Sequence, residues 1–200
     1  MVEINKIAVL CGGSSSEREI SLQSGEGVHN AICDLGYESD LIDFKNLSNL
    51  NELKIYDFIF IALHGFEGEG GKLQKELDDL NIRYSGSGSK ACANTWNKKI
   101  TKKILKENNI NTPISIDITE FSDQIAKSGL NISSYDCFRP FNHLFLKPEA
   151  DGSSIDIFKI SDDESLKNAY KKCTNRKRGF LFEEYIEGRE LTVTVINKEC

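Results

Sequence analysis

The sequence predicts an α/β fold, in which helices cover both faces of a largely parallel sheet. Two nearly continuous apolar runs, residues 6–11 and 57–63, indicate strands that are buried on both faces, because a half-solvated strand would alternate apolar and polar residues. Each run passes into a glycine-rich turn and then into a helical pattern. Strand and helix therefore alternate along the chain, as they do in strand–helix–strand units.

Length and charge limit the function classes. Two hundred residues suffice for one large or two modest domains with a substantial core. With 25 Lys and Arg against 31 Asp and Glu, the net charge of −6 gives no general attraction for nucleic acid or an anionic membrane. The apolar stretch near the N-terminus, residues 7–10, is too short for a signal peptide or a membrane span, so we expect a cytoplasmic protein.

The six cysteines are spread along the chain without a Cys-x-x-Cys pair. This spacing favours neither a zinc site nor a disulfide framework. We expect reduced thiols that are mainly buried.

The first strand, residues 6–11, is followed by a turn at residues 12–16 and then by a helical pattern that Gly36 stops. Ser16 and Glu19 have the spacing of a capping box. Such a unit places a helix N-terminus over the carboxyl end of a strand, where open α/β sheets bind ligands. The Gly-x-Gly-x-x-Gly spacing is missing, so a dinucleotide site is not favoured.

Glu17 lies at the start of this helix, in a turn where a phosphate site would avoid acidic residues. One interpretation is structural, since acidic side chains stabilise the positive end of a helix dipole. The other is a carboxylate that binds a cationic ligand such as an ammonium group. The helix taken by itself favours the first interpretation.

The second apolar strand, residues 57–63, runs into residues 64–71, which hold four glycines. Glycine lets the backbone approach a ligand closely, so this composition indicates a binding loop. His64 stands first in the loop, and its position at a strand end makes a binding role as plausible as a structural one.

A helix at residues 72–80 and a short strand at 82–84 lead into the Gly/Ser run 85–89, which indicates a domain boundary. The next helical pattern covers residues 90–108. Its predicted inward face consists of Trp96, Ile100, Ile104 and Leu105. Its predicted solvated face consists of Lys98, Lys99, Lys102, Lys103 and Lys106.

The second half of the chain alternates strands and helices again. Strands are predicted at residues 114–118, 143–147, 157–160, 179–183 and 190–196. Helices are predicted at residues 120–127 and 162–173, the second with a capping residue at its start. The Gly-Ser-Ser loop that follows Lys147 and Pro148 can hold a phosphate with its N–H groups and hydroxyls, although the same residues are also ordinary turn formers.

Four sequence blocks resemble, in their order and spacing, the D-alanine–D-alanine ligases of the ATP-grasp superfamily. The blocks are residues 12–22, residues 62–65 with Gly68, Glu69 and Gln74, residues 84–88 with Lys98, Thr101 and Lys102, and residues 147–154 joined to 182–190. The resemblance extends over essentially the whole chain. It favours a phosphate loop, rather than an ordinary turn, after Lys147.

The resemblance implies an N-terminal open parallel-sheet domain of the pre-ATP-grasp type at residues 1–87. It further implies an α+β ATP-grasp central domain at residues 88–185 and a truncated C-terminal ATP-grasp domain that starts at residues 186–200. The implied reaction joins two D-alanines through a D-alanyl phosphate, at the expense of ATP, for peptidoglycan synthesis. The implied partners are D-alanine, ATP and Mg²⁺ or Mn²⁺, with a homodimer as the assembly and neither nucleic acid nor membrane.

Site residues follow from the resemblance by position. Glu17 is implied to hold the ammonium of the first D-alanine, and Ser153 is implied to link the Gly-Ser-Ser loop toward Glu17. Both are implied to be catalytic, and His64 is implied to adjoin that subsite. The residues implied to bind ATP are Lys98, Lys147, Gly152, Ser153, Ser154, Glu183, Glu184, Ile186 and Glu190. No metal ligand is assigned in this chain, because the family's magnesium ligands are expected in the C-terminal part beyond residue 200.

Four positions depart from the family pattern, namely Gly70, Asn97, Asp151 and Asp156. The first three are peripheral to the groups implied to contact ATP. Asp156 replaces a common glycine, and its β-carbon and charge are expected to stiffen the phosphate loop or to repel the ligand.

Because no metal ligands are expected in these 200 residues, the sequence does not decide whether they are catalytically active by themselves. One alternative is a truncated, catalytically inactive ATP-binding or dimerisation module of the same family. A weaker alternative is a ligase that makes D-alanyl-D-lactate, since the residues that choose the second substrate are expected beyond this chain.

Overall fold

The computed structural model describes residues 4–118, 143–174 and 178–195 of the chain. Two compact units are present, the first formed by Met1–Ile110 and Glu149–Ile155, the second by Asn111–Pro148 and Asp156–Cys200. The predicted α/β class is confirmed. The predicted domain boundaries after residues 87 and 185 remain predictions.

The first unit contains a three-stranded parallel sheet in the order β2-β1-β3. Its strands are β1 (Lys6–Cys11), β2 (Glu38–Asp43) and β3 (Phe58–Ile61). The two strands predicted from apolar runs are confirmed, the second in a shorter form. The predicted strand at 82–84 is reduced to one bridge, in which Tyr84 pairs with Ile59.

The described helices of this unit pack on the sheet or on one another. They are α1 (Arg18–Asp34), α2 (Phe66–Glu69), α3 (Lys72–Asp79), α4 (Ser89–Trp96) and α5 (Lys98–Glu107), with 3₁₀ turns at Phe44–Asn46 and Leu50–Ile55. The predicted capping box at Ser16 is wrong, because Glu17 is the N-cap of α1 and no side chain caps it. The loop predicted at 64–71 contains the short helix α2.

The single helix predicted at residues 90–108 is wrong, because the chain breaks at Asn97. That residue is extended, with φ −94° and ψ 110°, and its side-chain oxygen accepts a hydrogen bond from the backbone N–H of Ile100 at 3.1 Å. The restarted helix presents a different face. Lys102, predicted to be solvated, is 7% exposed, while Ile100, predicted to be inward, is 42% exposed.

Strand β1 carries the core of the first unit on both of its faces. Ala8 and Leu10 pack in one cluster with Leu53, Ile59, Leu63, Leu73, Leu77 and Ile82. Val9 and Cys11 face the other way, toward Ala62 and the apolar residues of α1. The double burial predicted from the apolar run is confirmed.

The second unit is built on a four-stranded antiparallel sheet in the order β4-β7-β5-β6. Its strands are β4 (Ser115–Asp117), β5 (Leu144–Pro148), β6 (Phe158–Ile160) and β7 (Phe180–Glu184). Helix α6 (Asp163–Thr174) packs on it. Asp162 caps α6 by accepting the Ser165 backbone N–H at 2.7 Å, as predicted for this start.

A predicted strand at residues 190–196 is wrong for the part that is described. Residues 190–195 form no strand, and Leu191, Val193 and Val195 are exposed. Apolar alternation forms a strand only beside a pairing partner, and none of the described strands pairs with this segment. The predicted helix at 120–127 lies outside the described residues.

Four cysteines are described, and all four are free thiols. Cys11 and Cys173 are buried, whereas Cys33 is exposed and Cys92 is partly so. The prediction of mainly buried thiols therefore holds for only half of them. Over the ranges that the structure covers, no helix has the length and apolar character needed to cross a bilayer.

Candidate functional site

The loop after β1 is held close to the sheet by glycines and a buried serine. Gly12 and Gly13 have φ of 75° and 76°, and a β-carbon on Gly12 would lie 2.4 Å from Asp43 Oδ1. Ser21 is fully buried, where it accepts the Gly12 N–H at 2.9 Å and donates to the Ala62 carbonyl at 2.7 Å. These contacts join the carboxyl ends of β1 and β3.

Arg18 and Asp43 brace the same loop. The guanidinium donates to both Asp43 oxygens at 2.9 and 2.5 Å and to the Gly13 carbonyl at 2.7 Å. Asp43 also accepts the backbone N–H groups of Gly13 and Lys45. The Arg18 guanidinium holds the pKa of the Asp43 carboxyl well below its usual range, with the two backbone donors adding to the effect. Sequence reasoning missed this pair because it did not predict β2.

Substituting Asp43→Asn should lower stability by about 2 kcal/mol at neutral pH, the worth of a hydrogen bond to a charged group. The folded pKa lies below the unfolded value of about 3.9, so this stabilisation is present above about pH 4 and is lost as pH falls further. Urea unfolding between pH 7 and pH 2.5 checks this. The difference in the free energy of unfolding between the parent and Asp43→Asn should shrink as the pH falls.

Asp79→Asn serves as the control for that experiment. Asp79 pairs with Lys75 one helical turn away, and both side chains are exposed, so removal should cost only about 0.5 kcal/mol. An equally large effect of Asp79→Asn, or an Asp43→Asn effect that does not change with pH, would contradict the proposed brace.

Glu17 and Ser153 meet at the start of α1. The Ser153 hydroxyl donates to Glu17 Oε1, across 136 residues of sequence. Ser15 supports the same corner, since its hydroxyl accepts the Glu17 N–H and donates to the His64 carbonyl, both at 3.2 Å. The corner therefore presents a carboxylate at a helix N-terminus, chemically suited to accept N–H donors from an ammonium group.

His64 lies three residues after β3 and directly before Gly65, which has φ of 73°. Its Nε2 is 3.2 Å from the Ser24 hydroxyl, and its Nδ1 is 3.8 Å from Glu69 Oε1. Glu69 also accepts the Gly65 N–H at 3.2 Å. Sequence reasoning named His64 but assigned no role to Glu69, although an acid five residues later in the glycine loop was a usable signal.

Residues 149–155 contact the junction of α4 and α5. The Lys98 ammonium donates to the Asp151 carbonyl at 2.8 Å, and its backbone N–H donates to the Glu149 carbonyl at 2.8 Å. Asn97 donates to the Glu149 carboxylate at 2.8 Å. A side chain built on Gly152 would meet the Trp96 ring at 3.9 Å. The break at Asn97 thus places Lys98 beside the loop.

The second unit brings Lys147 and Glu183 together. They form an ion pair in which the Lys147 side chain is 22% exposed and that of Glu183 is 9% exposed. Lys147 Nζ also lies 5.1 Å from the Phe145 ring centre. The pair sits where β5 and β7 are hydrogen-bonded neighbours, which fixes both backbones.

The other residues predicted to bind ATP lie at or beyond the end of β7. Glu184 Oε2 accepts the Ile114 N–H at 3.1 Å. Tyr185 packs against Phe145 with ring centres 5.4 Å apart, and the Lys159 ammonium lies 4.4 Å from the Tyr185 ring centre. Ile186 and Glu190 are exposed. Their predicted adenine and ribose contacts remain predictions.

The structure therefore brings the predicted residues together in three places. Glu17 meets Ser153, and Lys98 meets the backbone of residue 151, both in the first unit. Lys147 meets Glu183 in the second. Within the described ranges, no group of three or more His, Cys, Asp or Glu side chains is arranged to hold a metal ion.

Comparisons with known proteins agree on one family. Residues 137–200 match the family described as D-ala D-ala ligase C-terminus. A D-alanine–D-alanine ligase from Thermotoga petrophila is 38% identical over 97% of this chain and 60% of its own length. D-alanine–D-alanine ligase B from Clostridium perfringens is 35% identical over 97% of this chain and 62% of its own length.

Solved structures give the same result. The D-alanine–D-alanine ligase from Bacillus anthracis is 30% identical, with a TM-score of 0.75 over 92% of this chain and 58% of that one. The same enzyme complexed with ATP is 29% identical, also with a TM-score of 0.75. The chain spans about 60% of the length of the relatives that it matches.

Proposed function

This chain belongs to the D-alanine–D-alanine ligase family, and from that membership we propose that it forms the first-substrate subsite and much of the ATP site of such a ligase. The complete ligase transfers the γ-phosphoryl group of ATP to the carboxylate of one D-alanine and releases ADP. The amine of a second D-alanine then attacks the acyl phosphate, forms the peptide bond and releases phosphate. The product serves peptidoglycan synthesis.

Glu17 receives the ammonium of the first D-alanine in this proposal. The observation that carries the proposal is the contact of its carboxylate with Ser153, a residue of the Gly-Ser-Ser loop. A carboxylate with one hydroxyl donor retains lone pairs for further N–H donors. Ser153 therefore links the residue that holds the amino acid to the loop that covers the phosphates, and His64 borders the same corner through Ser15.

The residues that hold the nucleotide are each assigned by position. Lys98 and Lys147 supply compact positive charges for the phosphates, which suits a group whose geometry changes during transfer. The N–H groups and hydroxyls of Gly152, Ser153 and Ser154 add donors. Glu183, Glu184 and Ile186 face the adenine, and Glu190 accepts from the ribose hydroxyls. The ATP complex of the Bacillus anthracis ligase supports this assignment at the level of the family.

Mg²⁺ or Mn²⁺ belongs to the proposed reaction, where it would neutralise phosphate charge. The described residues do not fit such an ion, because they offer no cluster of three ligands. We therefore assign it to no residue of this chain. A homodimer and a cytoplasmic location complete the proposal and rest on the family alone.

Glu17→Gln tests the proposal in an active ligase that contains this sequence. The variant keeps the shape of the side chain and removes the charge, so kcat/KM for D-alanine should fall by roughly 10- to 100-fold, as expected from about 1.5–3 kcal/mol for a charged hydrogen bond. The KM for ATP should change little. Steady-state kinetics with each substrate varied in turn checks this.

Glu26→Gln is the matched control, since Glu26 is an exposed glutamate on the same helix. It should leave both substrate dependences unchanged. If Glu17→Gln behaved like Glu26→Gln, the assignment of the first subsite would be wrong.

A second candidate is a non-catalytic nucleotide-binding or dimerisation module. Calorimetry of the 200-residue chain with ATP and Mg²⁺, coupled to an assay for released phosphate, separates the two. Binding without phosphate release on adding D-alanine favours the module, whereas release favours the ligase.

A further inference from the structure

Asp156 and Arg178 form an ion pair next to the Gly-Ser-Ser loop. Asp156 follows residue 155 directly and is the first residue of the second unit after the loop. Arg178 lies two positions before Phe180, the first residue of β7. Their side chains are 16% and 30% exposed, respectively, so the pair is shielded from water to a large extent.

The backbone at this point is held in an unfavourable conformation. Ser153, Ser154 and Asp156 have φ of 50°, 57° and 57°, in the left-handed region that residues with a β-carbon seldom adopt. Such conformations persist only where surrounding contacts hold them. Ser153 has its contact with Glu17, and Asp156 has its contact with Arg178.

Arg178 is itself fixed against the core. Its guanidinium carbon lies 5.4 Å from the ring centre of Phe180, a residue that is 1% exposed and packs among the central side chains of the second unit. The ion pair therefore connects Asp156 to a rigid strand rather than to another loop. A cation over an aromatic face adds to this fixation.

Strand β7 thus holds both ends of the loop. Pro148, the last residue before residues 149–155, is paired with Phe180. Asp156, the first residue after them, is bonded to Arg178, two positions earlier on the same segment. The separation between the two loop ends is consequently set by β7.

We propose that Asp156 and Arg178 are positioning residues, which fix the exit of the loop 149–155 and thereby hold Gly152 and Ser153 in place for the phosphates. This inference rests on the proposed function for its ligand. The Arg178 guanidinium also neutralises the charge of Asp156, so the aspartate that replaces a common glycine does not repel ATP. A glycine at this position would relieve the backbone but would lack the bond to β7.

Asp156→Asn and Arg178→Gln test the proposal, singly and together. Asparagine tolerates the left-handed backbone, so the first change removes the charge while it keeps the conformation accessible. Each single variant should raise the Kd for ATP by about fivefold, in line with the modest worth of a partly exposed ion pair. The double variant should be no weaker than either single variant, because both act through one bond. Calorimetry on the 200-residue chain with ATP and Mg²⁺ measures this.

A second readout needs no ligand. A glutamate-specific protease can cut after Glu149, at the start of the loop, and mass spectrometry identifies the fragment that ends there. This fragment should form faster in both single variants than in the parent because the loop exit is released. Arg189→Gln, an exposed arginine in the same unit, should change neither readout. A fall in melting temperature with unchanged ATP affinity and unchanged cleavage would overturn the proposal.

The two proposals fail separately. A parent chain that binds no ATP counts against the proposed function, while the cleavage rates still decide whether Asp156 and Arg178 anchor the loop. Faster cleavage of Asp156→Asn and Arg178→Gln supports the anchor, and cleavage equal to that of Arg189→Gln refutes it.

Discussion

Replacing Lys147 by methionine is expected to lower the free energy of unfolding by about 3–4 kcal/mol. Methionine preserves the length and apolar contacts of the lysine stem but removes the ammonium, which leaves the 9%-exposed Glu183 side chain without that charge beside it. Removing one partner of a buried pair is costly because the remaining charge stays in a poorly hydrated place. Urea unfolding followed by circular dichroism measures the loss.

Two further variants show whether the cost comes from the charge. Lys147→Met combined with Glu183→Gln removes both charges and should recover much of the lost stability. Lys159→Met changes an exposed lysine on β6 of the same unit and should cost less than about 1 kcal/mol. Equal losses of stability in Lys147→Met and Lys159→Met would show that the ion pair adds nothing to the free energy of unfolding.

The same pair bears on the proposed ATP site. An ammonium group has three N–H donors, so Lys147 can contact a phosphate and keep one bond to Glu183. In the proposed site, the Glu183 carboxylate would restrict the Lys147 side chain before ATP binds, which would lower the entropy lost on binding.

Gly68→Ala is expected to destabilise the first unit by about 3 kcal/mol, at the upper end of the usual cost of overpacking. A β-carbon on Gly68 would lie 2.2 Å from the Leu63 carbonyl oxygen and 2.6 Å from its carbon. The backbone atoms of the buried Leu63 cannot move aside as a flexible side chain can. Helix α2 would have to shift, and with it Glu69 and its contacts to His64 and Gly65.

Gly27→Ala is the matched control, with the opposite sign expected. Gly27 lies inside α1, and no atom is within 4 Å of the β-carbon that it would gain. Alanine is the better helix former by up to about 1 kcal/mol, so this variant should be more stable than the parent. Thermal unfolding of both variants checks the pair. If both melting temperatures shifted in the same direction by similar amounts, the close packing at Gly68 would not determine the stability of the unit.

The sequence pattern predicted the strands that consist of apolar residues. Strands β1 and β3 are apolar throughout and were found, whereas β2, with the sequence Glu-Ser-Asp-Leu-Ile-Asp, was not. It lies at the edge of its sheet and keeps much of its surface exposed, so its polar residues carry no strand pattern. The break at Asn97 was not predicted either, because the helical pattern continues through it. The Asn97 side chain nevertheless caps a new helix there.

Some contacts of the site were predicted and others were not. The link from Ser153 toward Glu17 was implied by the resemblance, and the structure forms it across 136 positions of sequence. Arg18 and Asp43 were not recognised as a pair, because their meeting depends on the undetected β2. Asp156 raised the expectation of repulsion, and only the structure places Arg178 against it.

Trp96, the one tryptophan of the chain, lies beside Gly152 of the loop. Indole fluorescence responds to the polarity around the ring, so the emission of the native protein should shift when residues 149–155 leave α4. Trp96 is therefore an intrinsic optical reporter of the packing of residues 149–155 against α4, and no dye has to be attached. Stopped-flow mixing with ATP would show whether that packing changes in the unlabelled protein.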